Sequence, residues 1–185
     1  MADSRTRRDL LALVAGGCGA LAGCLGSDDG ETDDDEPDDG ESVDWRAEEL
    51  TDATTGESFS ISEFDEPVVL HTYATWCGTC QNQHREIETL DERAGGTFVA
   101  VELNVDPDED TETIRDHAEN YGFDWRFAVS SPEMTEALTD EFGSAMAVPS
   151  QSPIIVVCPD GEVHVLDDDF VMDAADIETA IESDC

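Results

Sequence analysis

Lysine is absent from this chain of 185 residues, and eight arginines are its only strong bases. Against them stand 47 Asp and Glu, for a formal charge of -39. A nucleic-acid binder displaces counterions with a basic face, and this composition cannot build one. An anionic membrane surface repels a chain of the same sign. Aromatic residues are scarce at 6%, yet 39% of the chain is hydrophobic, too much for disorder throughout. No internal repeat is present, and the length suits one domain of ordinary size. The uncharged N-terminal run from Leu10 to Leu25 has about 16 residues, fewer than the roughly 20 of a membrane-spanning helix.

That run follows a basic start, Ser4-Arg5-Thr6-Arg7-Arg8, which is the layout of an export signal. Arg7-Arg8 resembles a twin-arginine signal, and Leu21-Ala22-Gly23-Cys24 resembles a lipobox. The resemblance implies a signal over residues 1–23, export after folding, and Cys24 as a lipidated N-terminus. An uncleaved anchor is the other reading, and both place the remainder outside the membrane. Between Ser27 and Ser42, ten residues are acidic and none is apolar. Residues 24–43 are therefore expected to be a lipidated, acidic, disordered linker, with one domain over residues 44–185. Acid excess without lysine resembles proteins that work in near-saturating salt, where screening is severe.

From Val43 onward, apolar segments return with regular punctuation. Residues 48–60 read as a hairpin turned at Thr54-Thr55-Gly56, and Val68-Val69-Leu70-His71-Thr72-Tyr73 as a buried strand. Residues 77–93 carry Cys80, Ile87 and Leu90 at helical spacing. A strand over 98–105 and a helix over 110–121 follow, then a short strand over 125–129. Ser131 caps a helix that begins with Pro132 and runs to about Phe142. Residues 154–158 and 163–166 flank Pro159-Asp160-Gly161 as a second hairpin, and a helix over 174–183 closes the chain. Alternating strands and helices with a terminal hairpin predict an α/β fold around a mixed sheet.

The chemistry centres on Trp76-Cys77-Gly78-Thr79-Cys80. Two cysteines three apart lie where a buried strand gives way to a helix. At the helix start, free amides and the dipole favour a thiolate, making Cys77 the attacking sulfur. Cys80, one turn further, can resolve a mixed disulfide. Gly78 allows a close backbone approach, and Trp76 is expected to cover the strand end beside the sulfurs. A zinc site lacks its second CxxC, so no metal and no cofactor is expected. Two buried structural cysteines or a purely structural disulfide are the plainer readings.

The stretch VVLHTYATWCGTC, residues 68–80, resembles the active-site strand and motif of thioredoxin-fold proteins. The lead-in from Leu50 to Phe64, and Asn104-Val105-Asp106 followed by an extra helix to Tyr121-Gly122, resemble the TlpA/ResA-type branch. The likeness spans about residues 47–182. It implies a central mixed sheet flanked by helices, with an N-terminal hairpin and the inserted helix. It also implies a membrane-tethered, extracytoplasmic thiol-disulfide oxidoreductase, several such proteins serving cytochrome c maturation. Partners are then exported protein thiols and disulfides and an unidentified membrane electron donor or acceptor, with the chain a monomer.

The resemblance further implies a cis-proline facing the dithiol. Pro153 has the thioredoxin spacing to Gly161, and Pro149 follows a valine as in many members; the spacing favours Pro153, an ordinary trans proline being the plain alternative. His71, six residues before Cys77, takes the place of a buried acid and can accept the Cys80 proton, or it is simply a core histidine. Thr79 replaces a common proline, and Gln83 stands where some ResA-type members keep a glutamate. His84 faces either sulfur or solvent. Cys158 and Cys185 remain for a disulfide, or stay as a buried thiol and a free one. Asp106, Asp108 and Asp110 alternate like a calcium loop but lack its glycine and terminal glutamate, and Asp167-Asp168-Asp169 is a comparable acidic run. A Sco-type copper metallochaperone is the alternative function, with His164 as the histidine to consider. A thiol peroxidase lacks its Pro/Thr-lined context here.

Overall fold

The structure, a computed structural model, describes residues 43–151, 153–166 and 171–185. The expected signal, Cys24, most of the acidic linker and the run 167–169 lie outside the described residues. Among the described residues, no helix is long and apolar enough to cross a membrane.

A short antiparallel hairpin, β1 (Leu50–Thr51) and β2 (Ser58–Phe59), opens the domain. Its turn is organised by buried Asp52, whose carboxylate accepts from Thr54 N, Thr54 Oγ1 and Thr55 Oγ1. Gly56 completes it at φ 77°, a conformation that side chains resist.

Five strands form the main sheet: β3 (Val68–Tyr73), β4 (Val99–Asn104), β5 (Arg126–Val129), β6 (Ile154–Val157) and β7 (Val163–Leu166). Their spatial order is β5-β4-β3-β6-β7. β3, β4 and β5 run parallel, whereas β6 and β7 are antiparallel additions. The sheet is therefore mixed, flanked by α1 (Gly78–Ala94), α2 (Thr111–Tyr121), α3 (Pro132–Phe142) and α4 (Ala174–Asp184). This is the thioredoxin-like architecture.

Strand periodicity decides what each face holds. Val68, Leu70, Val101, Leu103, Ile155 and Val157 face the hairpin and α3. Val69, Ala100 and Val156 face the other way, onto Ile87 and Leu90 of α1 and Ile177 of α4. The same alternation puts His71, Tyr73 and Glu102 on the α1 side. β3 is buried at all six positions, as a strand covered on both faces must be.

Helix ends match their sequence signals. Asp110 and Ser131 cap α2 and α3 by accepting from Thr113 N and Met134 N. α1 ends at Gly95 and α2 at Gly122, both left-handed.

Candidate active site

Cys77 is the N-cap of α1, and its sulfur accepts from Cys80 N at 3.1 Å. An N-cap position offers the sulfur unpaired amide donors and the positive end of the helix. Both favour a Cys77 thiolate once the bond to Cys80 is reduced. The two cysteines are joined as a disulfide with Cα atoms 5.3 Å apart, and both side chains are nearly buried. Cys80 Sγ lies 3.3 Å from the Pro149 carbonyl oxygen. In the dithiol state that acceptor favours a protonated Cys80, so the two sulfurs have unequal surroundings.

The approach to α1 is held by a carboxylate. Glu109 accepts from Thr75 N at 2.9 Å, from Thr75 Oγ1, and from Asn104 Nδ2 at 2.6 Å. It fastens the loop before Cys77 to the end of β4. Gln81 Nε2 donates to Thr75 O from inside α1. Trp76 does not cover the strand end: it is 65% exposed, its indole donating to Asp106 at 2.5 Å. Among the acids that alternate like a calcium loop, Asp106 takes this indole and Asp110 caps α2.

Pro149 begins a 3-10 turn over Pro149–Gln151 that packs on α1 and β3. Its preceding peptide bond is trans, since no cis bond occurs among the described residues. Thr72 Oγ1, donating to Met146 O at 2.7 Å, holds the segment leading there. Pro153 is buried immediately before β6. Ser152 lies outside the described residues, and the Ser152–Pro153 bond with it. Sequence spacing favours Pro153, and Pro149 is the proline whose carbonyl faces Cys80 Sγ.

His71 is buried on β3, and its Nδ1 lies 2.8 Å from Glu102 Oε2. Glu102 comes from the paired position on β4. His84 Nε2 lies 3.1 Å from the same oxygen, and the ring is fully buried. Burial pushes the Glu102 carboxyl up, but His84 and His71 outweigh it and bring it down to about 2. His84 thus faces the core rather than solvent. Glu102 carries a signal in the sequence: it is the one charge within the strand-forming run Val99-Ala100-Val101-Glu102-Leu103. Gln83, the residue before His84 in α1, is buried and binds the Met172 backbone, donating to Met172 O at 3.1 Å and accepting from Met172 N at 2.7 Å.

The remaining candidates lie away from the dithiol. Cys158 and Cys185 are joined as a disulfide, Cα atoms 5.2 Å apart, tying the end of β6 to the chain end. His164 pairs with Val156, which in turn pairs with Val69. That register puts it about two strand spacings across the sheet and roughly 13 Å back from the dithiol end. Its neighbours are Glu162 and Asp184, each at 3.8 Å. His164 is therefore misplaced for a copper site that uses Cys77 and Cys80.

Fold and site together define a thioredoxin-like protein with a CxxC disulfide at the start of its first long helix. The chain belongs to the Redoxin family, whose model matches residues 35–175. No curated protein sequence matches it. Similar solved structures include a secreted Mycobacterium tuberculosis disulfide oxidoreductase homologous to E. coli DsbE, at 16% identity and TM-score 0.56, covering 76% of this chain and 99% of that one. A thiol:disulfide interchange protein of the thioredoxin family from Chlorobium tepidum TLS has 16% identity and TM-score 0.58, with 73% and 90% covered. BsSco, of the Sco family of cytochrome c oxidase assembly proteins, has 17% identity and TM-score 0.59, with 77% and 95% covered.

Proposed function

We propose that this redoxin is a lipid-anchored, extracytoplasmic thiol-disulfide oxidoreductase acting on exported proteins. One observation carries the chemistry: Cys77 caps α1 and is disulfide-bonded to Cys80, one helical turn on. In the reduced protein, the Cys77 thiolate attacks a substrate disulfide and one substrate sulfur leaves as a thiolate. Cys80 loses its proton and attacks Cys77 in the mixed disulfide, which releases the second substrate sulfur. The electron pair has then passed to the substrate, and the Cys77–Cys80 bond has formed. The reverse sequence oxidises a substrate dithiol. Exposed Trp76 and Val148 adjoin Cys77 and Pro149 in the chain, which supports a protein rather than a small-molecule partner.

The anchor rests on Arg7-Arg8 and on Leu21-Ala22-Gly23-Cys24. The TlpA/ResA-like subtype rests on the early hairpin and on α2 between two parallel strands. Cytochrome c maturation is one setting that suits such a protein. The copper-chaperone alternative loses its histidine, because His164 lies toward the far end of the sheet.

Trapping tests the reading. In molar salt, Cys80→Ser should accumulate mixed disulfides with exported proteins, and Cys77→Ser should not. Equal trapping by both variants, or by neither, contradicts the proposal.

A further inference from the structure

Three of the four histidines gather at one place behind the dithiol helix. The His71 and His84 rings lie 5.9 Å apart, and His84 and His117 lie 5.5 Å apart. Glu102 stands among them with no solvent exposure. A carboxylate removed from water in this way requires a compensating positive charge. Its Oε2 has two imidazole nitrogens at 2.8 and 3.1 Å. Its Oε1 has no hydrogen-bond partner. His84 is stranger still: the ring is wholly buried, and neither nitrogen makes an aligned hydrogen bond. Unpartnered buried nitrogens on this scale are costly.

We propose that His71, His84 and Glu102 form a buried binding site for one divalent first-row transition-metal ion, of the Zn2+ or Fe2+ class. The three side chains come from three different elements, β3, α1 and β4, so packing holds them in place. One ligand atom from each lies within 4.8 Å of the others. A shared ion about 2.1 Å from each nitrogen needs them no more than ~4.2 Å apart, so the set draws in by about half an ångström. Two imidazoles and a carboxylate suit borderline ions of this class. Calcium and magnesium prefer all-oxygen cages, and copper(I) prefers sulfur. The ion would take His84 Nε2 and Glu102 Oε2 together as ligands, in place of a 3.1 Å contact that is not an aligned hydrogen bond. The site needs neither Cys77 nor Cys80, and it stands whether or not the dithiol acts on protein substrates. Because its ligands are sealed in the core, the ion enters as the chain folds.

The test uses the full chain with disulfides intact and free thiols alkylated, so that no thiolate can bind metal. Protein unfolded and stripped with chelator is refolded with Co2+ in molar salt, which screens surface carboxylates, and then gel-filtered. The expected result is about one cobalt per chain, with an absorption spectrum of nitrogen and oxygen ligands. Glu102→Gln and His84→Asn should retain less than about a tenth of that, and His117→Asn, outside the ligand set, should retain it all. Wild-type protein that keeps no cobalt, or Glu102→Gln that keeps as much as wild type, overturns the site. If those variants do not fold, X-ray absorption of the cobalt-loaded wild type decides. Imidazole scattering supports the site and an all-oxygen shell overturns it.

Discussion

At the residue scale, the two sulfurs are chemically unlike because different backbone groups face them. Cys77 receives an amide hydrogen from Cys80 N, whereas Cys80 faces the Pro149 carbonyl. An amide stabilises a thiolate and a carbonyl opposes one, so iodoacetamide should label Cys77 well before Cys80 in the reduced protein. Mass spectrometry after a short pulse checks this, and equal labelling would contradict the assignment of roles. Glu109 matters for a related reason, since its carboxylate accepts from both Thr75 and Asn104. Glu109→Ala leaves those donors without their acceptor and should cost about 1–3 kcal/mol of stability, seen as a lower urea midpoint. The CxxC was legible in sequence because its meaning is local: two sulfurs, one turn, one helix start. Glu102 was not, because it meets His71 only through strand pairing 31 residues away. Its isolation in an apolar strand was the available clue. His164 shows the opposite failure, since a histidine on a late hairpin carries no mark of which end of the sheet it occupies.

At the element scale, most boundaries follow from signals that neighbours in the chain supply. Ser131-Pro132, Asp110 and the glycines after α1 and α2 set the helix limits that the structure shows. What such signals cannot state is how elements dock. Gln83 looks like a substitution that loses a titrating group, yet it makes two hydrogen bonds to the Met172 backbone. Glu86 adds a third contact, accepting from Ala174 N at the start of α4. Gln83→Leu should therefore leave two buried backbone groups unpaired and cost roughly 2–4 kcal/mol, measured by denaturant unfolding. The first turn of the domain docks onto α3 through the buried Trp45 ring, edge-on to Phe142 with centroids 5.6 Å apart, and through a charged contact beside it. Arg46 makes a forked pair with Glu141, and Trp45 Nε1 donates to the same carboxylate at 2.7 Å. The Arg46 guanidinium, with Trp45 adding to it, holds the Glu141 carboxyl below the ordinary carboxylate value of 4.5. A depressed folded-state value stabilises the fold above the unfolded value and is lost as pH falls through the folded one. The melting temperature of wild type should thus fall more steeply than that of Glu141→Gln as pH drops below 4.5. Parallel curves for the two proteins would exclude this contribution.

At the scale of the whole molecule, charge and covalent closure act against each other. Residues 43–185 carry 35 acids and five arginines, a formal charge of -30. Of the five arginines among the described residues, only Arg46 and Arg93 form ion pairs, with Glu141 and Glu178. Arg115 instead donates to Ala53 O, and Arg126 lies over the Phe59 and Phe64 rings. Most carboxylates therefore repel one another with no basic partner. The Cys158–Cys185 bond closes a loop with a sequence separation of 27, worth about 3–4 kcal/mol through the unfolded chain. Repulsion depends on screening, and the disulfide does not. At about 1 M salt the Debye length is near 3 Å, and at 0.01 M it is near 30 Å, which lets all carboxylates of a domain feel one another. The melting temperature should accordingly fall as salt is diluted from molar to millimolar. Cys158→Ala/Cys185→Ala should unfold at a higher salt concentration than wild type, because it loses the closure term while keeping the repulsion. A thermal melt series in sodium chloride at fixed pH measures both. A melting temperature that stays level across the series would mean that -30 is tolerated without salt, and the reading of this composition as an adaptation to brine would fail with it.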